Sequence, residues 1–503
     1  MSAPQHGVPF RRAIGAAAVV VTVGVASCAG PGEAGARPAT GPALQPSPCH
    51  LDRLAEQVQC GVLDVYENRE AAAGRRIPIH VAVLPSLRRQ AEPDPLFILA
   101  GGPGQGARSY APIAAKSFRQ VRRTRAIVLV DLRGTGASGP LTCPRPEDEI
   151  QGFASIADAA LGDAAACADR LDADPRHYTH DNALADLDEV RRGLGYDRIN
   201  LWGGSWGTRA ALLYALRYPE SVRRLVLDGA VPLDLGFPQS AGRDAERALE
   251  ALHDRCLADP FCAETFPDGR GELDALLRRL DAEPRTVRLR HPRTGAPVEM
   301  TMTRAAVAEV ARVALYTPID SARLFQIIRH ASTGDFGPLA AQAVFSASVT
   351  TDGMALGATM AILCSEDLPA ASEARIEADA AGSFVGTSYA DGWRERCRSW
   401  PAGPGIASDL PAMTDAPALI LSGSLDPVTP PRWGEMMAGH FSSSQHVVVP
   451  GAAHNASFAG CVPDLIAAFL AANMADQGDA LDTACASRIA PPPIVTGDHG
   501  GRP

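Results

Sequence analysis

The sequence of 503 residues predicts an α/β protein with a mostly parallel central sheet. Three observations indicate this class. Short apolar runs alternate along the chain with amphipathic helical patterns. Several of the runs are apolar throughout, which is typical of strands buried on both faces of a parallel sheet. The alternation stops near Pro232 and resumes near Pro417, so we expect an inserted segment between these points.

Eight stretches have the length and composition of strands. Helical patterns lie between them, and the one over residues 181–195 carries apolar residues at helical spacing until Gly193 and Gly195 end it. The order is three strands, followed by helices and strands in alternation. The predicted strands cover residues 61–67, 77–85, 95–102, 125–134, 198–204, 223–231, 416–424 and 446–452.

The inserted segment, residues 232–411, has helical periodicity. Four stretches in it place their apolar residues on one helical face. We therefore predict a mainly helical cap between strands six and seven, which divides the sheet core into residues 61–231 and 412–503. The four amphipathic stretches are residues 243–257, 271–284, 303–316 and 321–332.

Residues 1–27 are expected to be a signal peptide. Two arginines precede an apolar run over residues 13–26, which is too short to cross a membrane but has the length of a signal-peptide hydrophobic region. The run ends in Val-Ala-Ser-Cys, which resembles the lipobox of bacterial lipoproteins. By this resemblance Cys28 becomes the lipidated first residue of the mature chain. Cleavage after Ser27 without lipidation is the alternative.

Residues 28–60 are expected to anchor and tether the domain that follows. Residues 29–48 are rich in proline, glycine and alanine and lack periodicity, as flexible linkers do. We expect an exported protein that is periplasmic or at the cell surface. The lipid on Cys28 is its expected attachment to a membrane, and without that lipid the protein is expected to be secreted.

The cysteines support an exported location. Eleven are present, and removing Cys28 leaves an even number, which in an exported chain is typical of disulfides. They do not show the spacing of a zinc site, so no metal is expected. Because they fall along the chain as neighbours, we expect sequential pairing: Cys49 with Cys60, Cys143 with Cys167, Cys256 with Cys262, Cys364 with Cys397, and Cys461 with Cys485.

The charge of the chain argues against a polyanionic partner. Lysine and arginine together number 47 against 57 aspartate and glutamate residues, so the formal net charge is −10. Such a chain has no overall positive field to attract nucleic acid. We expect no nucleic-acid partner, and we expect a monomer.

One glycine-rich turn predicts a nucleophile. Gly203, Gly204, Ser205, Trp206 and Gly207 form G-x-S-x-G between a predicted strand and a predicted helix. A serine on such a turn has a strained backbone, so the residues two before and two after it must be small. Ser205 is therefore the candidate nucleophile. The alternative is a glycine-rich turn in which the serine is incidental.

A nucleophilic serine needs a histidine base and an acid that orients the base. In the fold that this motif indicates, the chain order is serine, acid, histidine. Asp426 and His454 follow in that order, each just beyond the carboxyl end of a predicted strand, where open α/β sheets gather their chemistry. We predict a triad of Ser205, Asp426 and His454. For His454 taken alone, an ordinary loop histidine is the alternative.

Two backbone amides are candidates for the oxyanion hole, which stabilises the developing negative charge. One is the amide of Trp206, directly after the nucleophile. The other is expected from the loop after the third strand, and Gly102 in the sequence LAGGPGQG, residues 99–106, is the preferred donor. The loop does not fit a phosphate-binding motif because no Gly-Lys-Ser/Thr follows it.

Five segments carry a resemblance to a known family. GGPG at 101–104, DLRGTGASG at 131–139, GGSWG at 203–207 and the loops of Asp426 and His454 resemble the α/β-hydrolase peptidases of the prolyl iminopeptidase and tripeptidyl aminopeptidase group, above all its exported tripeptidyl aminopeptidase branch. The resemblance implies an α/β-hydrolase fold and a peptide substrate. Ala100 stands where iminopeptidases have histidine, which counts against strict iminopeptidase activity.

An aminopeptidase must bind the free α-amino group of its substrate. Glu366 and Asp367, in the sequence ILCSEDLP, are the candidates for this contact. The alternative is that they are solvent-facing acids beside a disulfide.

The expected function is hydrolysis of peptide bonds near the free amino terminus, through an acyl-enzyme and without a metal or organic cofactor. The alternative enzymatic activity is that of a carboxylesterase, because the fold does not determine the substrate. A peptide-binding surface lipoprotein without catalysis is the alternative of another class.

Overall fold

A nine-stranded sheet lies at the centre of the computed structural model, which describes residues 44–142, 164–291, 294–472 and 481–497. Two further strands pair with each other in a small separate sheet. In chain order the strands are β1 (Ser47–Cys49), β2 (Val58–Tyr66), β3 (Arg76–Leu84), β4 (Leu96–Leu99), β5 (Ile127–Val130), β6 (Ile199–Gly204), β7 (Val222–Asp228), β8 (Arg285–Arg290), β9 (Pro297–Met302), β10 (Ala418–Gly423) and β11 (Ser444–Val449).

The large sheet is mostly parallel, as the sequence predicts. Its strand order is β1-β2-β3-β5-β4-β6-β7-β10-β11. The strands from β5 to β11 in this order run parallel, whereas β1, β2 and β3 pair antiparallel at one side. Every residue of β4, β5, β6 and β10 is buried, which explains why these runs are predominantly apolar.

The register brings the carboxyl ends of the central strands to one level. Gly204 at the end of β6 lies opposite Asp228 at the end of β7, and Asp228 lies opposite Leu421 of β10. The loops that follow these strands therefore leave the sheet side by side.

Helices accompany the sheet and fill the stretch between β7 and β10. The helices before β7 are α1 (Ala111–Ser117), α2 (Arg119–Arg122), α3 (Ala164–Arg170), α4 (His180–Gly193) and α5 (Trp206–Arg217). Those between β7 and β10 are α6 (Ala241–Ala258), α7 (Pro260–Thr265), α8 (Gly269–Ala282), α9 (Arg304–Ala314), α10 (Pro318–Ser321), α11 (Leu324–Ser332), α12 (Gly337–Gly353), α13 (Leu356–Ile362), α14 (Glu373–Ala380) and α15 (Ser388–Cys397). Helices α16 (Pro431–Ala438) and α17 (Val462–Ala471) come after β10.

The sheet separates two hydrophobic cores. Alternate residues of β5 point to opposite sides: Ile127 and Leu129 pack with residues of α1 and α17, whereas Val128 and Val130 pack with residues of α4 and α5. This is the period of two that a strand imposes on its side chains. Helices thus cover both faces of the sheet, as a parallel sheet requires.

The segment between β7 and β10, residues 229–417, is here called the insertion. It is mainly helical and has a hydrophobic core of its own, which includes Leu249, Leu273 and Phe325. The sequence predicts the helical cap but not the hairpin of β8 and β9 within it. Arginines alternate with Val287 and Leu289 in β8, which is the pattern of a half-buried strand, but the run has only six residues and lies in a segment of helical periodicity.

The sheet begins earlier in the chain than residue 61, the predicted start of the sheet core. Strand β1 and the first residues of β2 lie within residues 28–60, the segment that the sequence analysis interprets as anchor and tether. Because β1 precedes the eight predicted strands, the insertion follows the seventh strand of the large sheet and not the sixth.

Four disulfides agree with sequential pairing: Cys49–Cys60, Cys256–Cys262, Cys364–Cys397 and Cys461–Cys485. Cys167 is also disulfide-bonded. Cys143 lies outside the described residues, as do Cys28 and the rest of the predicted signal peptide. In the described part of the chain, no helix has both the length and the apolar character needed to span a bilayer.

Candidate active site

Ser205 lies on a sharp turn between β6 and α5. Its φ of 54° and ψ of −124° fall in a region that side-chain-bearing residues rarely adopt, at a cost of about 1–3 kcal/mol. One backbone hydrogen bond and one from a side chain hold this conformation. The N–H of Ser205 donates to the carbonyl of Asp228 at 2.7 Å, and its own carbonyl accepts from the hydroxyl of Thr208 at 2.6 Å.

The glycines around Ser205 are required by close backbone packing. A Cβ at Gly203 would lie 2.4 Å from the carbonyl oxygen of Gly207, and a Cβ at Gly207 would lie 2.2 Å from that of Leu99. Both distances are far inside van der Waals contact. The small residues of the G-x-S-x-G pattern are therefore required sterically, as predicted from the turn.

Asp426 and His454 form a buried pair. Nδ1 of His454 lies 2.8 Å from Oδ2 of Asp426. The carboxylate also accepts the N–H groups of Val428 and Thr429, both at 2.8 Å, and the Thr429 hydroxyl at 2.7 Å. Because an ionised carboxylate only accepts hydrogen bonds, it favours the tautomer with the proton on Nδ1 and leaves Nε2 as the basic nitrogen.

The electrostatics of this pair favour the charged imidazole. Burial lowers the pKa of His454, but the Asp426 carboxylate outweighs burial and raises the pKa above its ordinary value of 6.5. Burial raises the pKa of Asp426, but the hydrogen bonds and charge of His454 hold that pKa below its ordinary value.

Asp228 joins the turn of Ser205 to the loop of His454. Its side chain is fully buried and accepts the N–H groups of Ala456 at 2.7 Å and Ser457 at 2.8 Å. Its carbonyl oxygen accepts the N–H of Ser205. Burial raises the pKa of Asp228 to about 6, although these hydrogen bonds oppose the shift.

Asp228 and Thr429 are two residues of the site that were not predicted. The signal for Asp228 is an acid at the carboxyl end of a buried strand, level with the turn of Ser205. For Thr429 the signal is a hydroxyl three residues after the candidate acid, where it can bond back to the carboxylate.

The insertion contributes to the placement of His454. The carbonyl of Tyr316 accepts the His454 N–H at 3.1 Å, and the Tyr316 ring meets the imidazole edge-on with centroids 5.2 Å apart. The Tyr316 hydroxyl accepts from Arg312 at 2.9 Å, and Arg312 makes two hydrogen bonds to Glu309. A buried polar cluster of the insertion thus backs the histidine.

The glycine-rich loop 99–106 lies against the turn of Ser205. A Cβ at Gly101 would lie 3.0 Å from the Gly204 carbonyl oxygen and 3.2 Å from the Ser205 Cβ. Gly102, the candidate oxyanion donor, is the next residue. The insertion holds the far side of this loop, because the N–H of Ala355 donates to the carbonyl of Gly104 at 2.9 Å.

Glu366 and Asp367 are buried, with 6% and 2% of their surfaces exposed. Glu366 pairs with His180, and Asp367 pairs with Arg209. They are therefore not the solvent-facing acids of the alternative interpretation. Both carboxylates have partners inside the protein, whereas Oδ2 of Asp367 has no hydrogen-bond partner among the described residues, and contact with a substrate amine stays a prediction.

A small cleft lies beside Trp206. Its walls come from the glycine-rich loop, from the residues around the start of α4, and from α13 of the insertion. Among its lining residues are Pro103, Gly104, Gln105, Tyr178, Thr179 and Trp206. Among the described residues, no three His, Cys, Asp or Glu side chains group as metal ligands would.

Comparison with protein families decides the family of this chain. A family model described as alpha/beta hydrolase fold matches residues 94–460, well over half of the sequence. The chain belongs to the α/β hydrolase fold family. The match begins before β4 and ends after the loop of His454, so it includes all the elements that position this candidate site.

Relatives of this α/β hydrolase bear peptidase names. The chain is 25% identical over 500 residues to serine protease Hip1 of Mycobacterium tuberculosis. The aligned region covers 90% of this chain and 94% of that protein. It is 30% identical over 202 residues to tripeptidyl aminopeptidase of Streptomyces coelicolor, and the match spans 36% of this chain and 37% of the relative. The crystal structure of proline iminopeptidase from Mycobacterium smegmatis matches with a TM-score of 0.38 and 18% identity, over 81% of this chain and 96% of that one.

The pairing of His454 with Asp426 predicts a pH dependence for this hydrolase. Only the neutral imidazole can accept the serine proton, so kcat/KM should fall as pH drops through the pKa of His454. Because Asp426 raises that pKa, the midpoint of the acid limb should lie above 6.5. The measurement is kcat/KM against pH for the wild type and for Asp426→Asn.

In Asp426→Asn the midpoint should move to lower pH and kcat should fall by about 10⁴, as orientation of the imidazole is lost. An unchanged midpoint in this variant would show that another group controls the acid limb.

Replacement of Asp228 should weaken catalysis through the position of His454. In Asp228→Asn an amide NH₂ replaces one acceptor oxygen, so one N–H of residues 456 and 457 is left unpaired at a cost of about 1–3 kcal/mol. We expect a lower unfolding temperature and a fall in kcat of about tenfold or more.

The matched control for Asp228→Asn is Asp94→Asn. Asp94 is also a buried acid, but it pairs with Arg125 before the start of β4, at the opposite edge of the sheet. The control should lose stability and keep its kcat. Equal kcat in both variants would show that Asp228 does not position the histidine.

Proposed function

We propose that this α/β hydrolase is a serine peptidase that cleaves peptide bonds near the free amino terminus of its substrates, in the manner of a tripeptidyl or prolyl aminopeptidase. The observation that carries the proposal is the buried Asp426–His454 pair at the sheet edge where Ser205 occupies its strained turn. The peptidase names of the relatives support a peptide substrate.

The proposed reaction begins with attack by Oγ of Ser205 on the scissile carbonyl. Nε2 of His454 accepts the hydroxyl proton, and Asp426 holds the imidazole and stabilises its charge. The amides of Trp206 and Gly102 donate to the oxygen that becomes negative. The strained turn suits this step because it holds Oγ at the amino end of α5, where the helix dipole favours negative charge.

The second half of the proposed reaction releases both products. His454 returns its proton to the leaving amine as the carbon–nitrogen bond breaks, which leaves an ester on Ser205. Water then attacks the ester, His454 takes a proton from the water, and the serine hydroxyl is restored as the acid product leaves. These steps use side chains and backbone amides alone, so no cofactor is part of the proposal.

The proposed location is outside the cytoplasm. Disulfides persist in oxidising compartments, and four are present in the described residues. Attachment to a membrane through a lipid on Cys28 remains part of the proposal, and the presence of this lipid is measured directly by the mass of the mature amino-terminal peptide.

Turnover of chromogenic substrates tests the function. Tripeptidyl and prolyl p-nitroanilides with free amines, their N-acetylated forms, and p-nitrophenyl esters should be compared on one preparation. We expect the highest kcat/KM on a free-amine anilide, and a loss of at least about 10⁴ in Ser205→Ala. Turnover of esters alone would contradict the peptidase and favour the carboxylesterase.

A fluorophosphonate probe separates catalysis from binding alone. Ser205 should be labelled in the wild type and unlabelled in Ser205→Ala. Ser422→Ala is the matched control, because Ser422 of β10 is also buried and its hydroxyl lies 2.9 Å from Nε2 of His446, a histidine that is not part of the proposed triad. Absence of labelling in the wild type would favour a peptide-binding protein without catalysis.

A further inference from the structure

Two neighbouring carboxylates of the insertion contact the starts of two core helices. Glu366 and Asp367 lie in a single turn of π-helix, Leu363–Asp367, which directly follows α13. Glu366 pairs with His180, the first residue of α4, and Asp367 pairs with Arg209 in the first turn of α5. The disulfide between Cys364 and Cys397 joins the same turn to α15.

Glu366 fixes His180 at two points. One carboxylate oxygen accepts the backbone N–H of His180 at 2.8 Å, and the other contacts ring atom Nδ1. The imidazole is fully buried and stacks on the indole of Trp206, with ring centroids 4.4 Å apart and planes 28° apart. The orientation of the imidazole therefore limits the positions open to the Trp206 side chain.

Arg209 fixes the same helix from another direction. It lies three residues after Trp206 in α5 and is almost completely buried. One guanidinium nitrogen pairs with Asp367, and another donates to the carbonyl oxygens of Pro232 and Leu235, the former at 2.9 Å. The insertion thus holds the first turn of α5 directly at Arg209 and indirectly, through His180, at Trp206.

Stability alone does not account for these pairs. Taking two charges out of water costs free energy that their attraction often fails to return, and apolar residues of similar volume are commonly as stable. A buried pair does, however, fix geometry, and these two converge on the residue whose amide is the proposed oxyanion donor. A displacement of about 1 Å at such a donor is enough to lower a rate strongly.

We propose that the Glu366–His180 pair is a positioning pair through which the insertion sets the location of Trp206, and with it the oxyanion donor, while Asp367–Arg209 anchors the same helix turn. This proposal rests on the catalytic role of Ser205. It is an alternative to a direct contact between these carboxylates and the amino group of the substrate, and the experiment below separates the two.

The test measures kcat and KM separately for Glu366→Gln, which keeps the side-chain shape and removes the charge. Two substrates are compared, a tripeptidyl p-nitroanilide with a free amine and p-nitrophenyl acetate, which has no amine. Loss of one oxyanion donor costs about 10²–10³ in kcat, so a displaced donor should cost about 10- to 100-fold. We expect a similar fall in kcat on both substrates, with KM changed less than threefold.

A rise of KM on the amine substrate alone, with p-nitrophenyl acetate unaffected, would overturn the proposal and restore a contact with the substrate amine. Unchanged kcat with a lowered unfolding temperature would also overturn it, because the pair would then be structural only. Active-site titration with a fluorophosphonate corrects each rate for the folded fraction. Asp94→Asn is the control for a buried acid lost far from the site.

A second variant keeps the test decisive if Glu366→Gln does not fold. The double replacement Glu366→Met with His180→Leu removes both polar partners and preserves apolar volume, so it should fold. We expect reduced kcat in the folded double variant, and full kcat would contradict the proposal. A wild type that neither turns over a substrate nor reacts with the fluorophosphonate would instead be a failure of the proposed function.

Discussion

The site depends on one buried carboxylate at the end of a central strand. Asp228 accepts the N–H of Ser205 through its carbonyl and the N–H groups of Ala456 and Ser457 through its side chain. Residues more than two hundred positions apart in the chain are thereby fixed to the same point of the sheet edge. Parallel register makes this possible, because Gly204 and Asp228 end their strands opposite each other and Asp228 lies opposite Leu421, two residues before the end of β10. The burial of an acid is tolerated here since two amide donors satisfy it.

The insertion is part of the site and not only a cover over it. It provides the carbonyl of Tyr316 that accepts the His454 N–H, and the N–H of Ala355 that donates to the glycine-rich loop. Its acids Glu366 and Asp367 meet the starts of α4 and α5. The core supplies the turn of Ser205 and the paired Asp426 and His454, whereas the insertion contacts the loop of His454, the glycine-rich loop and the start of the helix after Ser205. Changes in the insertion are therefore expected to alter rate constants as well as substrate preference.

The sequence predicts local features well because their causes are local. The steric demand around Ser205, the apolar strands and the four described disulfides all follow from short patterns, and the Asp426–His454 contact follows from chain order. The partners of Glu366 and Asp367 were not predictable in this way, because His180 and Arg209 lie 186 and 158 residues away. The β8–β9 hairpin was missed because each of its strands has only six residues and lies among stretches of helical periodicity, although apolar and polar residues alternate in both strands.

The most direct test of the catalytic centre is a crystal structure of the protein after reaction with a tripeptidyl phosphonate. We predict a bond from phosphorus to Oγ of Ser205, with Nε2 of His454 within hydrogen-bonding distance of that oxygen and the phosphonyl oxygen facing the amides of Trp206 and Gly102. Phosphorus bound to another residue, or an imidazole of His454 beyond reach of Ser205 in the reacted protein, would contradict the convergence of these loops into one catalytic centre.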